Sequence, residues 1–400
     1  MNLLIVTADL PRPAWGASAR NFHLLKALAR EHSVSLLALV GSVEAEAYGE
    51  IRQLKNVVRS VQLIPRPVSY SKRRQQLMNM ARRQSYLLNL FILQEMQDTL
   101  DVLLAGDNYD VVLFESVLLA GYRLPAGVRV IIDQHNIEHE LLERTYEQEK
   151  SPLRKWYNWQ EGRLLKHGEI ERCSNADIVL VASERERIVL KGLLPENVIE
   201  VVPNGVDIET FDGNSSEQEV PNQIVFTGTM DYYPNTNAVL FFAQRCWPLI
   251  RAQIPGATWQ IVGRNPPVEI RKLGELPGIT VTGTVPDVRP YLAASSVAIA
   301  PLQIGSGTRL KILEALAMRK AIVSTSVGYE GLSLVPGKHL IVADQPEEIA
   351  QAIVVLMNNP EMREALGTAG REAVETEYSW EWCGDLLLHI LEEREREFVC

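Results

Sequence analysis

Short apolar runs alternate with amphipathic segments from one end of this chain to the other. Leu3 to Thr7 (LLIVT), Val111 to Phe114 (VVLF) and Ala176 to Ala182 (ADIVLVA) are three such runs in the first half. Strands this apolar are buried on both faces. In alternation with helices they indicate a parallel sheet that helices cover on both sides. The pattern therefore predicts an α/β fold.

The alternation pauses once and then begins again. Val198 to Val202 leads into Pro203-Asn204-Gly205, a strong turn signal, and a polar run follows from Asp212 to Asn222. A second series of strands and helices starts at Ile224 to Thr227. With 400 residues, the chain has the length of two or three domains. We therefore predict two Rossmann-like domains joined near Gly205.

The charges are unevenly distributed. The formal net charge of −10 argues against a general nucleic-acid binder. The stretch from Ile51 to Gln94, called here the basic stretch, nevertheless contains no Asp or Glu and nine Lys or Arg residues, with apolar residues such as Leu77 and Met78 between them. It is either a helix or loop that rests on an anionic membrane surface or binds an anionic acceptor, or the solvated basic face of a core helix.

Three features bear on the location of the protein. No apolar run approaches the roughly 18 residues of a transmembrane helix, and Met1 to Leu10 lacks the basic region of a secretory signal. The four cysteines lie far apart without a CxxC pair, which fits a reducing cytosol. We therefore expect a cytoplasmic protein. On the membrane interpretation of the basic stretch, residues 51–94 would attach it peripherally to the inner face of the membrane.

The segment from Pro301 to Ala317 (PLQIGSGTRLKILEALA) carries the strongest functional signal. A strand ends, Gly305-Ser306-Gly307 forms a tight loop, and a helix is predicted over Gly307–Met318. Glycines let the backbone approach a ligand, and free N–H groups at a helix start attract phosphate. Arg309 and Lys311 add two cations at that helix start, where a bound anion would offset their unfavourable interaction with the helix dipole.

Glu314 is a candidate for binding the ribose next to the phosphate. It lies on the same helix face as Lys311 and Gly307, and its carboxylate can accept hydrogen bonds from ribose hydroxyls. The pattern favours a site for a nucleoside diphosphate. The alternative is an ordinary helix cap with a Lys311–Glu314 surface pair.

With these motifs together, the chain resembles the retaining glycosyltransferases of family 4, which have the GT-B fold. Within that family it is most similar to bacterial sugar transferases of exopolysaccharide and surface-glycan pathways. The resemblance covers nearly the whole chain. In chain order, the motifs that carry it with the segment just quoted are PRPAWGASARNFHLLKALA, IIDQHNIEHE, VVPNGVD, FTGTM and VTGTVPDVRPYLAASSVAIAPL.

The resemblance implies an architecture and a reaction. Two Rossmann-like domains face each other across a cleft: an acceptor-side domain over 1–205 and a donor domain over 206–378. A C-terminal helix over 379–400 returns to the first domain. The implied reaction transfers a sugar from a nucleoside diphosphate sugar to a hydroxyl of a glycan or lipid-linked acceptor, with retention. The resemblance implies no metal or other cofactor.

The resemblance also assigns roles around the donor. Glu314 matches the second of the two acidic residues of a family motif, the one that binds the donor ribose. Ser306 stands at the position of the first, whose carboxylate usually faces the donor sugar. The loop Thr229–Asn235 lacks the Arg and Lys with which the family grips the diphosphate. We expect Arg309 and Lys311 to take over that role. The remaining donor-binding residues expected from the resemblance are Gly16, Ala17, Ser18, Gly228, Thr229, Gly263, Thr284, Val285, Gly305, Ser306, Gly307, Thr308 and Leu310.

His135 is the expected catalytic residue of the first domain. It follows the strand ending at Asp133 and matches a family histidine near the donor sugar or the acceptor, in the expected cleft. Glu138 and His139 either assist His135 or begin the next helix. Glu115 also follows a strand and is a weaker candidate for the cleft. Ser18 is expected to cap the first long helix as well as to line the donor loop.

Two functions of other classes stay open on the sequence alone. One is a degenerate partner that binds a nucleotide sugar or another transferase without catalysis, which the missing cations and the missing carboxylate suggest. The other is an epimerase of sugar nucleotides with the same fold. The intact Glu314 and the GSGTRLK loop favour the transferase.

Overall fold

A computed structural model describes residues 1–13, 16–41, 51, 54–66, 72–149, 151–213, 217–305 and 309–399. The chain divides into two compact units. The first comprises Met1–Pro203 together with the residues from Cys383 onward, and the second comprises Asn204–Trp382. No helix among the described ranges is both long enough and apolar enough to cross a bilayer.

The first unit is built on a seven-stranded sheet in the order β3-β2-β1-β4-β5-β6-β7. All neighbouring strands are parallel. Nearly every residue of β1, β2, β4 and β6 is buried, as expected for strands covered on both faces. The strands are β1 (Asn2–Thr7), β2 (Ser33–Val40), β3 (Ser60–Pro65), β4 (Val111–Phe114), β5 (Arg129–Gln134), β6 (Ile178–Val181) and β7 (Ile199–Val201).

Helices connect these strands and cover the sheet. Leu24, Leu25 and Leu28 pack one face of the first helix into the core with β1 and β2. Met96 and Leu100 cover β1 and β4 from another helix. The helices are α1 (Gly16–Leu28), α2 (Lys72–Ala81), α3 (Tyr86–Asn89), α4 (Gln94–Gly106), α5 (Glu138–Gln148), α6 (Pro152–Ser174) and α7 (Glu184–Leu193).

The second unit is built on a six-stranded parallel sheet in the order β10-β9-β8-β11-β12-β13. The strands are β8 (Gln223–Thr227), β9 (Thr258–Val262), β10 (Ile279–Gly283), β11 (Val297–Ala300), β12 (Ala321–Ser324) and β13 (Ile341–Val342). The helices are α8 (Tyr233–Phe241), α9 (Trp247–Gln253), α10 (Val268–Arg271), α11 (Arg289–Ala294), α12 (Leu310–Ala317), α13 (Ser326–Tyr329), α14 (Pro346–Asn358), α15 (Pro360–Glu377) and α16 (Trp380–Val399).

The final helix α16 has residues in both units. Ser379, just before it, pairs with Val206, so the chain enters and leaves the second unit at adjacent positions. From Cys383 onward the residues belong to the first unit, where Leu387 and Leu391 are buried in its core with β1 and β2.

Two parallel sheets with helices between their strands confirm the predicted α/β fold. Two local predictions were wrong. The basic stretch contains the strand Ser60–Pro65, which lies at the edge of the first sheet. The helix predicted from Gly307 begins at Leu310 in the described residues.

Candidate donor site in the second unit and polar clusters in the first

Three adjacent strands of the second sheet lead into glycines at their carboxyl ends. β8 is followed by Gly228, β9 by Gly263, and β10 ends in Gly283, all with positive φ angles (156°, 156° and 72°). A Cβ atom added to Gly263 would overlap the carbonyl oxygen of Gly228, so the two strand ends pack backbone against backbone. Ligands of parallel sheets bind at this carboxyl edge. The glycines leave its main chain open to close approach.

Lys311 reaches the same edge from α12. Its Nζ donates a hydrogen bond to Oδ1 of Asn235 (2.7 Å) and lies 3.8 Å from the centre of the Phe226 ring. A Cβ atom on Gly228 would lie only 3.0 Å from this Nζ. The amine is therefore held at the end of β8, beside the loop Thr229–Asn235 that has no Lys or Arg of its own.

Burial changes the pKa of Lys311 and that of Glu314, which lies one turn further along α12. The pKa of Lys311 is lowered to about 7, mainly by removal from water and also by the charge of the nearby Arg309, while Glu314 opposes the shift. Burial raises the pKa of Glu314 to about 7, against the effect of Lys311. The two side chains are not within ion-pair distance, because Lys311 turns toward Asn235. The alternative of a Lys311–Glu314 surface pair is therefore wrong.

Arg309 and Gly305 flank the loop that joins β11 to α12. Arg309 is the residue that precedes the helix, and its side chain is almost fully buried. Its guanidinium lies against Gly305, where a Cβ atom would overlap it. Leu310 packs partly into the apolar core of this unit. Ser306, Gly307 and Thr308, which the sequence assigned to the donor, lie outside the described residues.

Arg264 is a cation at this edge that the sequence analysis missed. It follows Gly263 directly, and its Nε donates to Oγ1 of Thr229 (3.2 Å). The carbonyl of Thr229 also accepts a hydrogen bond from Nδ2 of Asn235 (2.9 Å). Thr229 thus contacts both Arg264 and Asn235, the residue that binds the Lys311 amine. The sequence feature that could have identified Arg264 is its position immediately after the glycine that follows β9.

The remaining donor candidates of this unit lie after β10. Thr284 is exposed, and Val285 packs partly into the apolar core. Both follow Gly283 at the same carboxyl edge as Gly228 and Gly263. The structure thus places these predicted residues on one edge of one sheet.

Within the first unit, the carboxyl ends of β1, β4 and β5 hold a second group of polar residues. Oε1 of Glu115 accepts from the backbone N–H of Ala8 (2.8 Å), and its Oε2 accepts from the side chain of Asn21. The pKa of Glu115 is raised to about 8, mainly by burial and also by the charges of Asp9 and Asp133, while the bond from Ala8 opposes the shift. Glu115 is therefore largely protonated at neutral pH.

Arg20 and Asp133 form a buried ion pair in the same unit. The guanidinium of Arg20 donates to both carboxylate oxygens of Asp133, each at 2.7 Å, and also to the carbonyls of Val202 (2.8 Å) and Pro203 (3.1 Å). The pair ties α1 to the ends of β5 and β7.

His135 lies two residues after Asp133. Its backbone N–H donates to the carbonyl of Asp133 (3.2 Å). Burial lowers the pKa of its imidazole; the charge of Asp133 opposes the shift, and that of Arg20 adds to it. The imidazole is therefore neutral at pH 7, in a state that can accept a hydrogen bond from a hydroxyl.

His139 has a structural role at the start of α5. Glu169, buried on α6, accepts from the backbone N–H groups of Glu138 (3.0 Å) and His139 (3.1 Å). Its second oxygen lies 2.6 Å from Nδ1 of His139. A side chain of α6 thus satisfies N–H groups that a helix start leaves unpaired. Of the two roles left open for His139, the structure supports the helix start.

The start of the first helix, around Gly16, Ala17 and Ser18, differs from the prediction. The helix begins at Gly16, so Ser18 lies inside it and is not its cap. The Ser18 hydroxyl instead accepts from the N–H of Arg12 (2.9 Å) and donates to the carbonyl of Leu10 (3.1 Å). It stabilises the loop between β1 and α1. The surroundings of Gly16 and Ala17, also predicted to bind the donor, lie outside the part of the chain that the structure describes.

Two protein-family models match the chain, one in each half. Residues 16–210 match the model described as Glycosyltransferase Family 4, and residues 221–359 match the model described as Glycosyl transferases group 1. An uncharacterized 44.6 kDa protein in the cps region of Klebsiella pneumoniae is 23% identical over 266 residues, 63% of this chain and 66% of that protein.

A GDP-mannose-dependent monoacylated alpha-(1-6)-phosphatidylinositol monomannoside mannosyltransferase of Corynebacterium glutamicum is 31% identical over 91 residues. These residues are 22% of this chain and 24% of that protein. The chain thus aligns with less than two thirds of the length of either of these curated relatives.

Solved structures match over nearly the whole chain. Sucrose-phosphate synthase (tll1590) from Thermosynechococcus elongatus is 17% identical with a TM-score of 0.70, over 100% of both chains. Alr3699/HepE from Anabaena, in complex with UDP, is 12% identical with a TM-score of 0.67, over 98% of this chain and 100% of that one. At these identities the similarity shows the fold, which is the predicted GT-B fold.

Proposed function

We propose that this chain, which belongs to the family 4 glycosyltransferases, transfers a hexose from a nucleoside diphosphate sugar to an acceptor hydroxyl with retention of configuration. The observation that carries the proposal is the position of the Lys311 amine, held by Asn235 against Gly228 at the end of β8. Glu314 lies one turn beyond it on the same helix. A cation and a carboxylate at this spacing suit a diphosphate and the adjoining ribose.

Lys311 supplies the charge that the β8 loop lacks. As the bond between sugar and phosphate breaks, the leaving diphosphate gains negative charge, and a cation fixed at that place stabilises the transition state. Arg309 beside Gly305 and Arg264 beside Thr229 bring two further guanidinium groups to the same sheet edge. In this proposal the diphosphate lies among these three cations, and no metal ion is required.

On the acceptor side we assign His135. A neutral imidazole can accept a hydrogen bond from a sugar or acceptor hydroxyl and so orient it. In a retaining transfer, an oxygen of the departing phosphate takes the proton of the acceptor hydroxyl while the new glycosidic bond forms on the same face. A glycan acceptor is supported by the similarity to WaaG, a glycosyltransferase involved in lipopolysaccharide biosynthesis.

The proposal is tested by thermal-shift measurements with UDP, GDP, ADP and TDP and their common sugar conjugates. A ligand at about 100 times its dissociation constant stabilises a protein by roughly 2.7 kcal/mol, which raises the melting temperature measurably. We expect one base to give a clear shift that Glu314→Ala removes. The absence of a shift with every nucleotide would contradict a donor site in this chain.

The depressed pKa of Lys311 predicts that nucleotide binding takes up a proton. A bound diphosphate favours the ammonium form, so at pH 8 the free amine gains a proton on binding, and affinity falls by up to about tenfold per pH unit above pH 7. The terminal phosphate is already fully ionised in that range. Calorimetry in buffers of different ionisation enthalpy measures the uptake. The control is Lys311→Met: an equal uptake in that variant would contradict the assignment.

We also propose that α2, within the basic stretch, contacts an anionic membrane, with the protein on the cytoplasmic side. α2 has no buried residue, and Leu77 and Met78 on it are 62% and 45% exposed beside exposed Arg73. Tyr86 and Leu88 of the same stretch do not take part, because they are buried. Exposed cations and apolar side chains on one helix suit a lipid interface.

Co-sedimentation with vesicles tests this membrane contact. We expect the protein to pellet with anionic vesicles and not with neutral ones, and Arg73→Gln/Leu77→Ser to reduce pelleting several-fold. The matched control is Val102→Ser, which removes an apolar side chain that is 72% exposed on α4. Equal pelleting of all three proteins would exclude α2 as the contact.

A further inference from the structure

The first unit contains a cavity of about 480 Å³ that none of the assigned roles uses. It lies between α3, α6 and the connection from β4 to β5. Its volume is in the range of pockets that bind small organic ligands. All of its lining residues belong to the first unit, so it is a different site from the donor edge of the second.

Arg172, near the end of α6, provides the charge in this cavity. Its Nη1 donates to the carbonyls of Val117 (2.8 Å) and Leu118 (3.0 Å), and its Nη2 donates to the carbonyl of Leu88 (3.0 Å). A guanidinium has five N–H groups, so its Nε–H and one Nη2–H have no partner among the residues that the structure describes. No carboxylate of those residues lies within ion-pair distance of it. A fixed cation thus faces the cavity without an ion-pair partner at contact distance; the carboxylate of the neighbouring Glu171, which also lines the cavity, acts on it from further away.

The fold leaves space for this guanidinium. A Cβ atom added to Gly121 would overlap it, so the glycine allows the arginine to lie against the backbone of the β4–β5 connection. Three carbonyls from two separate segments hold the group in place. An arginine fixed in this way is a preorganised receptor for an oxyanion, since little side-chain entropy is left to lose on binding.

One wall of the cavity is apolar, whereas the rest of the lining is polar, with residues such as Gln84, Asn89 and His167. Phe114 and Tyr122 stack with their ring centres 6.5 Å apart, and Leu124, Val130 and Leu164 extend the apolar surface. Arg83 adds a second cation to the lining. A cavity with a fixed cation and an apolar wall matches a molecule with an anionic head and an apolar chain.

We propose that this cavity binds an organic oxyanion with a single apolar chain, an alkyl phosphate or an acyl carboxylate. The head is held by the two available N–H groups of Arg172, and the chain lies along Phe114, Leu124 and Leu164. The inference does not rest on the proposed glycosyl transfer. Nucleotide binding at the second unit and ligand binding here are measured separately, so either can fail alone.

Calorimetric titration of the full chain with octyl phosphate, octanoate, octanol and inorganic phosphate tests the proposal. We expect octyl phosphate or octanoate to bind at least about tenfold more tightly than octanol and inorganic phosphate, because only they use both parts of the cavity. The better of the two identifies the head group. Equal affinity for inorganic phosphate and octyl phosphate would overturn the proposal, since the apolar wall would then contribute nothing.

Two variants separate ligand binding from folding. Arg172→Gln removes the cation and is expected to weaken the anionic amphiphile at least about tenfold, but it also loosens the contacts to Leu88 and Val117. Leu164→Trp fills the apolar part without touching those contacts and is expected to have the same effect. Arg163→Gln is the matched control, because the Arg163 guanidinium lies over the ring of Trp159 instead. Unchanged affinity in Leu164→Trp, with its melting temperature retained, would place the ligand elsewhere.

Discussion

Replacing Lys311 by methionine is expected to lower the rate of glycosyl transfer, measured as kcat/KM for the donor, by about 100-fold or more. Removal of one preorganised group that stabilises developing charge typically costs about 2.7–4 kcal/mol of transition-state stabilisation. Methionine keeps most of the apolar contact with the Phe226 ring while losing the charge and the bond to Asn235. Product formation from labelled nucleotide sugar is the measurement, once the nucleotide panel has identified the base.

The control for this variant is Lys338→Met, which removes an exposed lysine of the same unit. Its activity should equal that of the unchanged protein. Glu314→Ala is expected to weaken the nucleotide itself, since it removes the acceptor for the ribose hydroxyls. Full activity in Lys311→Met would show that another cation of the sheet edge, such as Arg264, holds the diphosphate.

Replacing Arg20 by alanine is expected to destabilise the first unit by about 3–5 kcal/mol, because Asp133 is left as a buried charge without its partner. The side chains of Arg20 and Asp133 are 1% and 3% exposed. The substitution also removes the donors to the carbonyls of Val202 and Pro203. Urea unfolding, followed through the transition of the first unit, measures the loss.

Arg30→Ala is the matched control for this prediction. Arg30 forms an ion pair with Asp385, but their side chains are 49% and 55% exposed. Removing an exposed pair changes stability by about 1 kcal/mol or less. The double variant Arg20→Ala/Asp133→Ala should recover part of the loss, since it no longer buries a lone charge. Equal losses for Arg20→Ala and Arg30→Ala would contradict the assigned importance of the buried pair.

The sequence allowed the fold to be predicted where hydrophobicity alone decides it. Strands such as LLIVT in β1 are apolar throughout, so burial on both faces leaves few alternatives. β3 was missed because its sequence, SVQLIP, alternates within a basic stretch, and its place at the sheet edge leaves it half exposed. Its pairing with β2 depends on tertiary contacts that no local pattern shows.

The site could be predicted in its residues but less well in its contacts. The GSGTRLK segment identified Lys311 and Glu314, yet the bond from Lys311 to Asn235 joins positions 76 residues apart. Arg264 was missed because a single arginine after a glycine is common on protein surfaces. Ser18 was misassigned because the helix begins two residues earlier, at Gly16, and its hydroxyl binds the preceding loop.

The core of the first unit can be completed only after the last helix has been synthesised. Leu387, Leu388, Ile390 and Leu391 complete the apolar core of the first unit, yet the ribosome makes them after the whole of the second. The part of the first unit's apolar core that these residues cover therefore stays exposed while the second unit is synthesised. The second unit is contiguous in sequence and can form before the first is complete, so the part of the chain that is translated first is the last to finish folding.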